Sequence, residues 1–332
     1  MIISRTPYRI SFFGGGTDYK EWYSNYGSEI ISTSINKYIY LSLRKLPPYF
    51  KKKNRVIYSI IEEIDNFNQI KLFPLKKILI NEKIKNGIEF HYDGQMPTRS
   101  GVGSSSSFVV GLIKLCSSIN KVNLSKYELA KKAILIERNL LKEVVGIQDQ
   151  IATSFGGLNF IKIDNKGNFK VSKIFKNKID EKKLNDNLVL LYTGIQKIDR
   201  RELKNYVSNL AVKSHEHMKL ISEITREVKK LLIKKDFIEF GKLLDESWQI
   251  KKKLSRRMTN SSVDEIYNLA KKNGAYGGKI LGAGGGGFFL FYVPKEIRKI
   301  FLNKMNFLVN VDFKFEDEGS RILLKDQNEN FK

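Results

Sequence analysis

Residues 97–107 read Pro-Thr-Arg-Ser-Gly-Val-Gly-Ser-Ser-Ser-Ser and run straight into an apolar pattern. Phe108, Leu112, Leu115 and Ile119 recur at three- and four-residue spacing, so a helix is expected from Ser105. The two glycines let a backbone approach a ligand and adopt positive φ. The serines add short hydroxyl donors, and a helix start presents free N–H groups with partial positive charge. A short strand over 89–93 leading into such a loop makes a cradle for phosphate oxygens. It is not a Walker A loop, because no Gly-Lys-Ser/Thr follows at the required spacing.

The chain has 332 residues, enough for two domains with real cores. Its 59 basic and 35 acidic residues give a net charge of +24. Such an excess fits an anionic partner, either nucleic acid or a phosphorylated small molecule. It equally fits a Lys-rich composition spread over solvated faces, and no aromatic-studded RNA motif accompanies the dispersed lysines. Cys116 is the one cysteine, so no disulfide framework forms within the chain and a cytoplasmic setting is expected. No apolar run approaches the length of a membrane span, and the first ten residues do not read as an export signal.

Strands are expected over 2–13, 28–34, 38–43, 158–163 and 188–192. Residues 47–86 are Lys-rich and read as a variable insertion. Ser125 to Glu128 has the form of a capping box, opening a helix that should run to about Val145 and stop at Gly146. A short helix over 147–155 should follow. Residues 164–187 read as polar turns with a domain boundary near 185. Residues 200–257 read as amphipathic helices whose stripe of Phe237, Phe240, Leu244 and Trp248 should face a core. Ser262 to Glu265 offers another capping box.

Glu137 lies on an apolar helix face beside Ala130, Ala133, Ile134, Leu140 and Leu141, where a carboxylate is costly unless paired. Either an internal ion pair with Arg9 or Arg99 or a metal ion would satisfy it. Asp149 falls in the first turn of the short helix, a position that by itself favours an acidic residue. Asp18 follows three glycines, which suits an Asx-type turn. His215 and His217 are two apart on a helix and point to different faces, so a zinc site is not expected.

Three glycine-rich strings, RTPYRISFFGGGTDY from Arg5, TRSGVGSSSS from Thr98 and GGKILGAGGGGF from Gly277, occur in this order. Together they resemble motifs one, two and three of the GHMP kinases, over residues 1 to about 293. The resemblance is closest to the heptose 7-phosphate kinases, with L-fucokinase domains as near relatives. It implies an α+β, two-domain fold. Residues 1–185 would form a mixed domain with a ribosomal-protein-like β-α-β unit, and residues 186–332 a ferredoxin-like domain.

The resemblance further implies ATP on Arg99, Gly101, Val102, Gly103, Ser104, Ser105, Ser106 and Ser107, with Mg2+ held by Ser105 and Glu137. Gly146 to Gln150 resembles the galactokinase string whose Asp faces the accepting hydroxyl. Asp149 would then act as base or hydroxyl orienter, with Arg9 beside it. Substrate contacts would come from Gly15, Gly16, Thr17, Asp18, Gly284 and Gly285. Thr193, Gly194, Lys197, Arg200 and Arg201 would meet a sugar's second phosphate, unless they form only a solvated basic turn. Galactokinases have Glu-His where this chain has Gly15-Gly16, which favours a bulkier sugar.

The acceptor implied is D-glycero-α-D-manno-heptose 7-phosphate, on a path towards GDP-heptose for a surface polysaccharide. The alternatives are an unphosphorylated sugar such as L-fucose, or a nucleic-acid-binding protein on an idle kinase fold. Expected partners are ATP and a sugar phosphate, without nucleic acid or membrane, for a monomer or homodimer.

Overall fold

A computed structural model describes residues 1–195, 214–254, 258–282 and 284–326. The first sheet comprises β1 (Ile2–Phe13), β2 (Ser28–Lys45), β3 (Asn54–Ile57), β4 (Ile61–Ile64), β5 (Ile88–Gly94), β6 (Leu158–Ile163), β7 (Phe169–Lys173) and β12 (Arg321–Lys325). Its order is β12-β1-β2-β5-β3-β4, with β6 and β7 continuing from β2. The second sheet comprises β8 (Leu188–Tyr192), β9 (Gly277–Ile280), β10 (Phe288–Tyr292) and β11 (Val309–Asn310), in the order β11-β8-β10-β9. All its pairs are antiparallel. Helices α1 (Lys20–Tyr26), α2 (Phe73–Asn81), α3 (Ser104–Ile119), α4 (Lys126–Leu135), α5 (Gln148–Phe155) and α6 (Lys178–Asp186) accompany the first sheet. Helices α7 (His215–Lys234), α8 (Phe237–Leu254) and α9 (Ser261–Lys272) connect β8 to β9, and α10 (Arg298–Lys304) connects β10 to β11. A split β-α-β of this order is the ferredoxin-like arrangement.

The two strands expected over 28–34 and 38–43 are halves of one strand. In β2 the first half pairs with β6 and the second with β5. The halves meet where the register against β1 jumps from Pro7↔Tyr38 to Tyr8↔Ile35. A bulge at that point accommodates Pro7, which has no N–H to give the ladder.

Residues 47–86, which the sequence leaves without clear elements, hold regular structure. β3 and β4 form a hairpin, β3 lies parallel to β5, and α2 buries Leu75, Ile78 and Leu79. The polar stretch 164–187 likewise contains β7 and α6, the latter capped by Asn177, whose side chain accepts from the Asp180 N–H. The Ser125 capping box is present as expected. The cap of α9 is Asn260 rather than Ser262. Against the division expected near 185, α6 runs across that position and β12 returns to pair with β1.

α3 buries eleven of its 16 residues against β1, β2 and its helical neighbours. On α8, Phe240, Leu244 and Trp248 are fully buried, and Trp248 packs on Tyr267 and Phe289. The stripe is core, as its spacing predicts. Phe240 also wedges between Phe12 and Phe13 at 5.6 and 5.3 Å, joining the second unit to the end of β1. Burial of such a ring contributes about 2–3 kcal/mol.

Candidate active site

β1 carries Arg9 to the centre of the molecule, where its side chain is almost wholly enclosed. Its Nε and Nη2 donate to Oδ1 and Oδ2 of Asp149, each at 2.6 Å. Its Nη1 donates to the Gly101 carbonyl at 2.6 Å, and its backbone N–H to Val102 O. One guanidinium thus fixes the first turn of α5 and the glycine-serine loop relative to β1. The paired geometry fixes the plane of the Asp149 carboxylate. Gly103, which caps α3 at φ 78°, permits this approach: a Cβ there would lie 3.0 Å from Arg9 Cγ.

The third glycine string closes on the same loop. The Phe288 N–H donates to Ser100 O, while Gly285 N donates to Met258 O and Gly284 lies against Met258. Thr193 spends its hydroxyl on Gly287 O, and Gly194 is exposed. Lys197, Arg200 and Arg201 lie outside the described residues.

Asp18 is buried in the turn after β1. Its Oδ1 accepts from Gly16 N at 3.1 Å and its Oδ2 from Gln148 N at 3.1 Å. Burial, and secondarily the charge of Asp149, raise its pKa above the ordinary carboxylate value. The Gly146 backbone passes so close that a Cβ would fall 1.8 Å from Asp18 Oδ2. Gly15 adjoins Ser11 and Gln148. Thr17 is a correction: its hydroxyl is buried against Gly14 O and Ser28 Oγ and does not face the cleft.

Glu137 ends up in a π-turn. α4 stops at Leu135, ten residues short of the expected end, and Ile136–Leu140 form one wide turn. Such turns recur at functional sites. Glu137 Oε2 accepts from Ser106 Oγ at 3.1 Å and from Gln150 Nε2 at 2.7 Å. Among the described residues no arginine reaches it, because Arg9 is engaged by Asp149 and Gly101, and Arg99 is exposed on the loop at φ 59°. Burial pushes its pKa up to about 7, although the Ser106 and Gln150 hydrogen bonds act the other way.

Two serines of the loop also need correction. The serine beside Glu137 is Ser106, whereas Ser105 is exposed. Ser107 is buried and donates to Pro7 O, so it holds α3 onto β1 and leaves no hydroxyl for a phosphate. Ser104 is partly exposed, and Val102 is buried beneath the loop.

Four further polar residues belong to the site without a role being evident from the sequence. Gln148 links Asp18 to Ser11, whose Oγ donates to Gln148 Oε1 at 2.7 Å, and Gln150 supports Glu137. Lys279 is buried and donates to Phe12 O at 2.7 Å, while Lys251 donates to Gly282 O at 2.6 Å. Lys279 was legible as the one cation inside the third glycine string. Lys251 reads only as part of a basic helix end.

The family model described as GHMP kinases N terminal domain matches residues 71–157, and GHMP kinases C terminal matches residues 228–308. The D-glycero-alpha-D-manno-heptose 7-phosphate kinase of Campylobacter jejuni is 32% identical, over 96% of this chain and 97% of its own. A mevalonate kinase of Methanocaldococcus jannaschii is 27% identical, over 92% and 96% respectively. The crystal structure of a D-glycero-D-manno-heptose 1-phosphate kinase from Bacteroides thetaiotaomicron superposes with a TM-score of 0.80 at 23% identity, covering 98% of this chain and 100% of that one. Among the described residues no helix is long and apolar enough to cross a membrane. The shared fold, the two matched models and the near full-length kinase relative agree: this chain belongs to the GHMP kinases, two-domain phosphotransferases that use ATP.

Proposed function

We propose that this enzyme transfers the γ-phosphoryl group of ATP to the anomeric hydroxyl of D-glycero-α-D-manno-heptose 7-phosphate. The product is the 1,7-bisphosphate, a precursor of an activated heptose for a surface polysaccharide. The observation that carries the reading is the Arg9–Asp149 pair, tied through Arg9 Nη1 to the glycine-serine loop. The similarity to the Campylobacter heptose kinase supplies the sugar class.

In this reading the ATP phosphates lie over the backbone of Gly101 to Ser105, where the first-turn N–H groups of α3 have no intrahelical acceptors. Asp149 is part exposed, and each carboxylate oxygen keeps acceptor capacity after bonding Arg9. It accepts the proton of the anomeric hydroxyl and aims that oxygen at the phosphorus. Arg9 offsets charge as it moves onto the bridging atoms. Phosphoryl transfer depends mainly on such positioning and charge neutralisation. Asp18 accepts hydrogen bonds from neighbouring sugar hydroxyls.

Magnesium suits the opposite side of the loop. Glu137 Oε1 and Gln150 Oε1 are buried without a hydrogen-bond partner, the situation expected of oxygens reserved for a cation or its waters. Glu137 and Ser106 would hold the ion, and bound there it would neutralise phosphate charge.

Glu137 makes this arrangement testable without turnover. Its pKa of about 7 in the fold lies above the ordinary 4.5. Between these values the folded state keeps a proton that the unfolded chain has released, so stability falls as pH rises through the window and the loss is complete above pH 7. Glu137→Gln lacks that dependence. Urea unfolding of metal-free protein at pH 5 and pH 8 should show the stability gap between variant and parent shifting by about 2 kcal/mol or somewhat more in favour of the variant. A gap independent of pH would remove the strained carboxylate.

The reaction itself is tested by steady-state assay with heptose 7-phosphate, free heptose and L-fucose, with the product read by 31P NMR. Two phosphate signals, one at the anomeric carbon, are expected from the first substrate. Exclusive use of L-fucose, or phosphorylation at another hydroxyl, would overturn the reading.

A further inference from the structure

The Arg9 pair holds only the first turn of α5. This helix has 8 residues, too few to persist as a helix in isolation. From Asp149 to its end at Phe155 it forms an arm of about 9 Å. A tilt at the far end moves the Asp149 backbone. The carboxylate then keeps its bonds to Arg9 or its aim at the acceptor, not both.

That far end is held by the return of the chain from the second sheet to the first. Between β11 and β12 the backbone crosses the end of α5. The Gly157 N–H donates to Glu316 O at 2.6 Å, and the Ser320 N–H donates to Thr153 O at 2.9 Å. The crossing is tight: a Cβ on Gly319 would lie 2.0 Å from Ser154 O. Gly319 does not adopt a positive φ, so the close approach rather than the backbone conformation calls for glycine there.

Ser320 makes a second bond from the same place. Its Oγ shares a buried 2.7 Å hydrogen bond with Thr6 Oγ1 on β1, the strand that carries Arg9. Thr6 also lies against α3, since a Cβ on Gly111 would fall 2.7 Å from its hydroxyl. Thr153 in turn donates its hydroxyl to Asp149 O at 2.9 Å. The elements that carry Arg9, the serine run and Asp149 are thus joined behind the cleft through one serine contributed by the far end of the chain.

We propose that Ser320 is a positioning residue: bound to Thr6 by its hydroxyl and to Thr153 by its N–H, it sets the tilt of α5 and with it the aim of Asp149. This rests on the role given to Asp149 above.

The test measures kcat with whichever sugar of the steady-state assay the parent enzyme uses best. Each variant is also titrated with a non-hydrolysable ATP analogue and unfolded in urea. Ser320→Ala should lower kcat about 10-fold and Gly319→Ala about 100-fold, with nucleotide affinity near that of the parent, because displacements close to 1 Å at a reacting group are this costly. Ser320→Thr, which keeps the hydroxyl, should recover most of the rate. In Thr6→Val/Ser320→Ala both partners of the buried bond become apolar, a change that is nearly neutral for stability. Stability should return there while kcat stays low. In Asp149→Asn/Ser320→Ala the serine change should have no further effect on kcat, since residues that act as a unit are not additive.

If Asp149→Asn alone keeps its turnover, the role of Asp149 and this inference fall together. If Asp149→Asn is impaired and Ser320→Ala keeps kcat, the inference alone falls. It falls likewise if rate recovers with stability in Thr6→Val/Ser320→Ala, or if the Ser320→Ala loss persists undiminished beside Asp149→Asn. Should Gly319→Ala not fold, the Ser320 variants decide.

Discussion

Asp149→Asn should lower kcat by about 10²–10⁴-fold while ATP affinity stays near that of the parent enzyme. The asparagine is close in size but cannot accept a proton, and it presents an NH2 group to a guanidinium that has only donors. One of the two 2.6 Å bonds from Arg9 is therefore lost and the side chain turns. The loss should appear in kcat with every acceptor, and calorimetric titration with a non-hydrolysable ATP analogue should show the nucleotide site intact. Turnover within threefold of normal would remove Asp149 from the reaction.

Arg9→Met should be nearly as damaging and should also cost stability. Arg9 bonds both the Asp149 carboxylate and the loop carbonyl of Gly101. Its removal leaves Asp149 uncompensated beside Asp18. Breaking a pair of this kind costs about 2–3 kcal/mol here, toward the low end because the Asp149 carboxylate is part exposed. We expect kcat to fall by roughly 10²–10³-fold, since loop and acceptor base lose their common reference. Arg9→Lys should restore stability better than rate, because an ammonium cannot make two parallel bonds and reach Gly101 as well. Urea unfolding with parallel assays would show this. Equal stability of parent and Arg9→Met would refute it.

The residues that come together were legible to different degrees. The convergence of three distant glycine strings was readable only through their resemblance, taken together and in order, to the three GHMP kinase motifs, since a single glycine-rich string more often marks only a turn. Arg9 and Asp149 followed from their strings and meet as expected. The choice between Ser105 and Ser106 was not readable. In a run of four identical residues each step turns the side chain by about 100°, and nothing in the string fixes the phase. Thr17 and Ser107 looked like ligand contacts because hydroxyls in a glycine-rich string suit phosphates and sugars, yet both are used to fasten neighbouring backbone. The strands at 54–64 were hidden because each is only four residues long and charged residues interrupt their apolar alternation, with Glu62 on the buried face of β4 and Ile61 on the exposed one. Lys251 gave no local signal, since its place depends on how α8 meets the third loop.

The wide turn at Ile136–Leu140 has a consequence for chain length. It holds one more residue per hydrogen-bonded ring than the helix before it. Deleting a single residue there would let the segment wind as ordinary helix and swing every following side chain by about 100°. Glu137 would keep its neighbours in sequence and lose them in space. This short stretch should therefore tolerate many exchanges of side chain but almost no change in count.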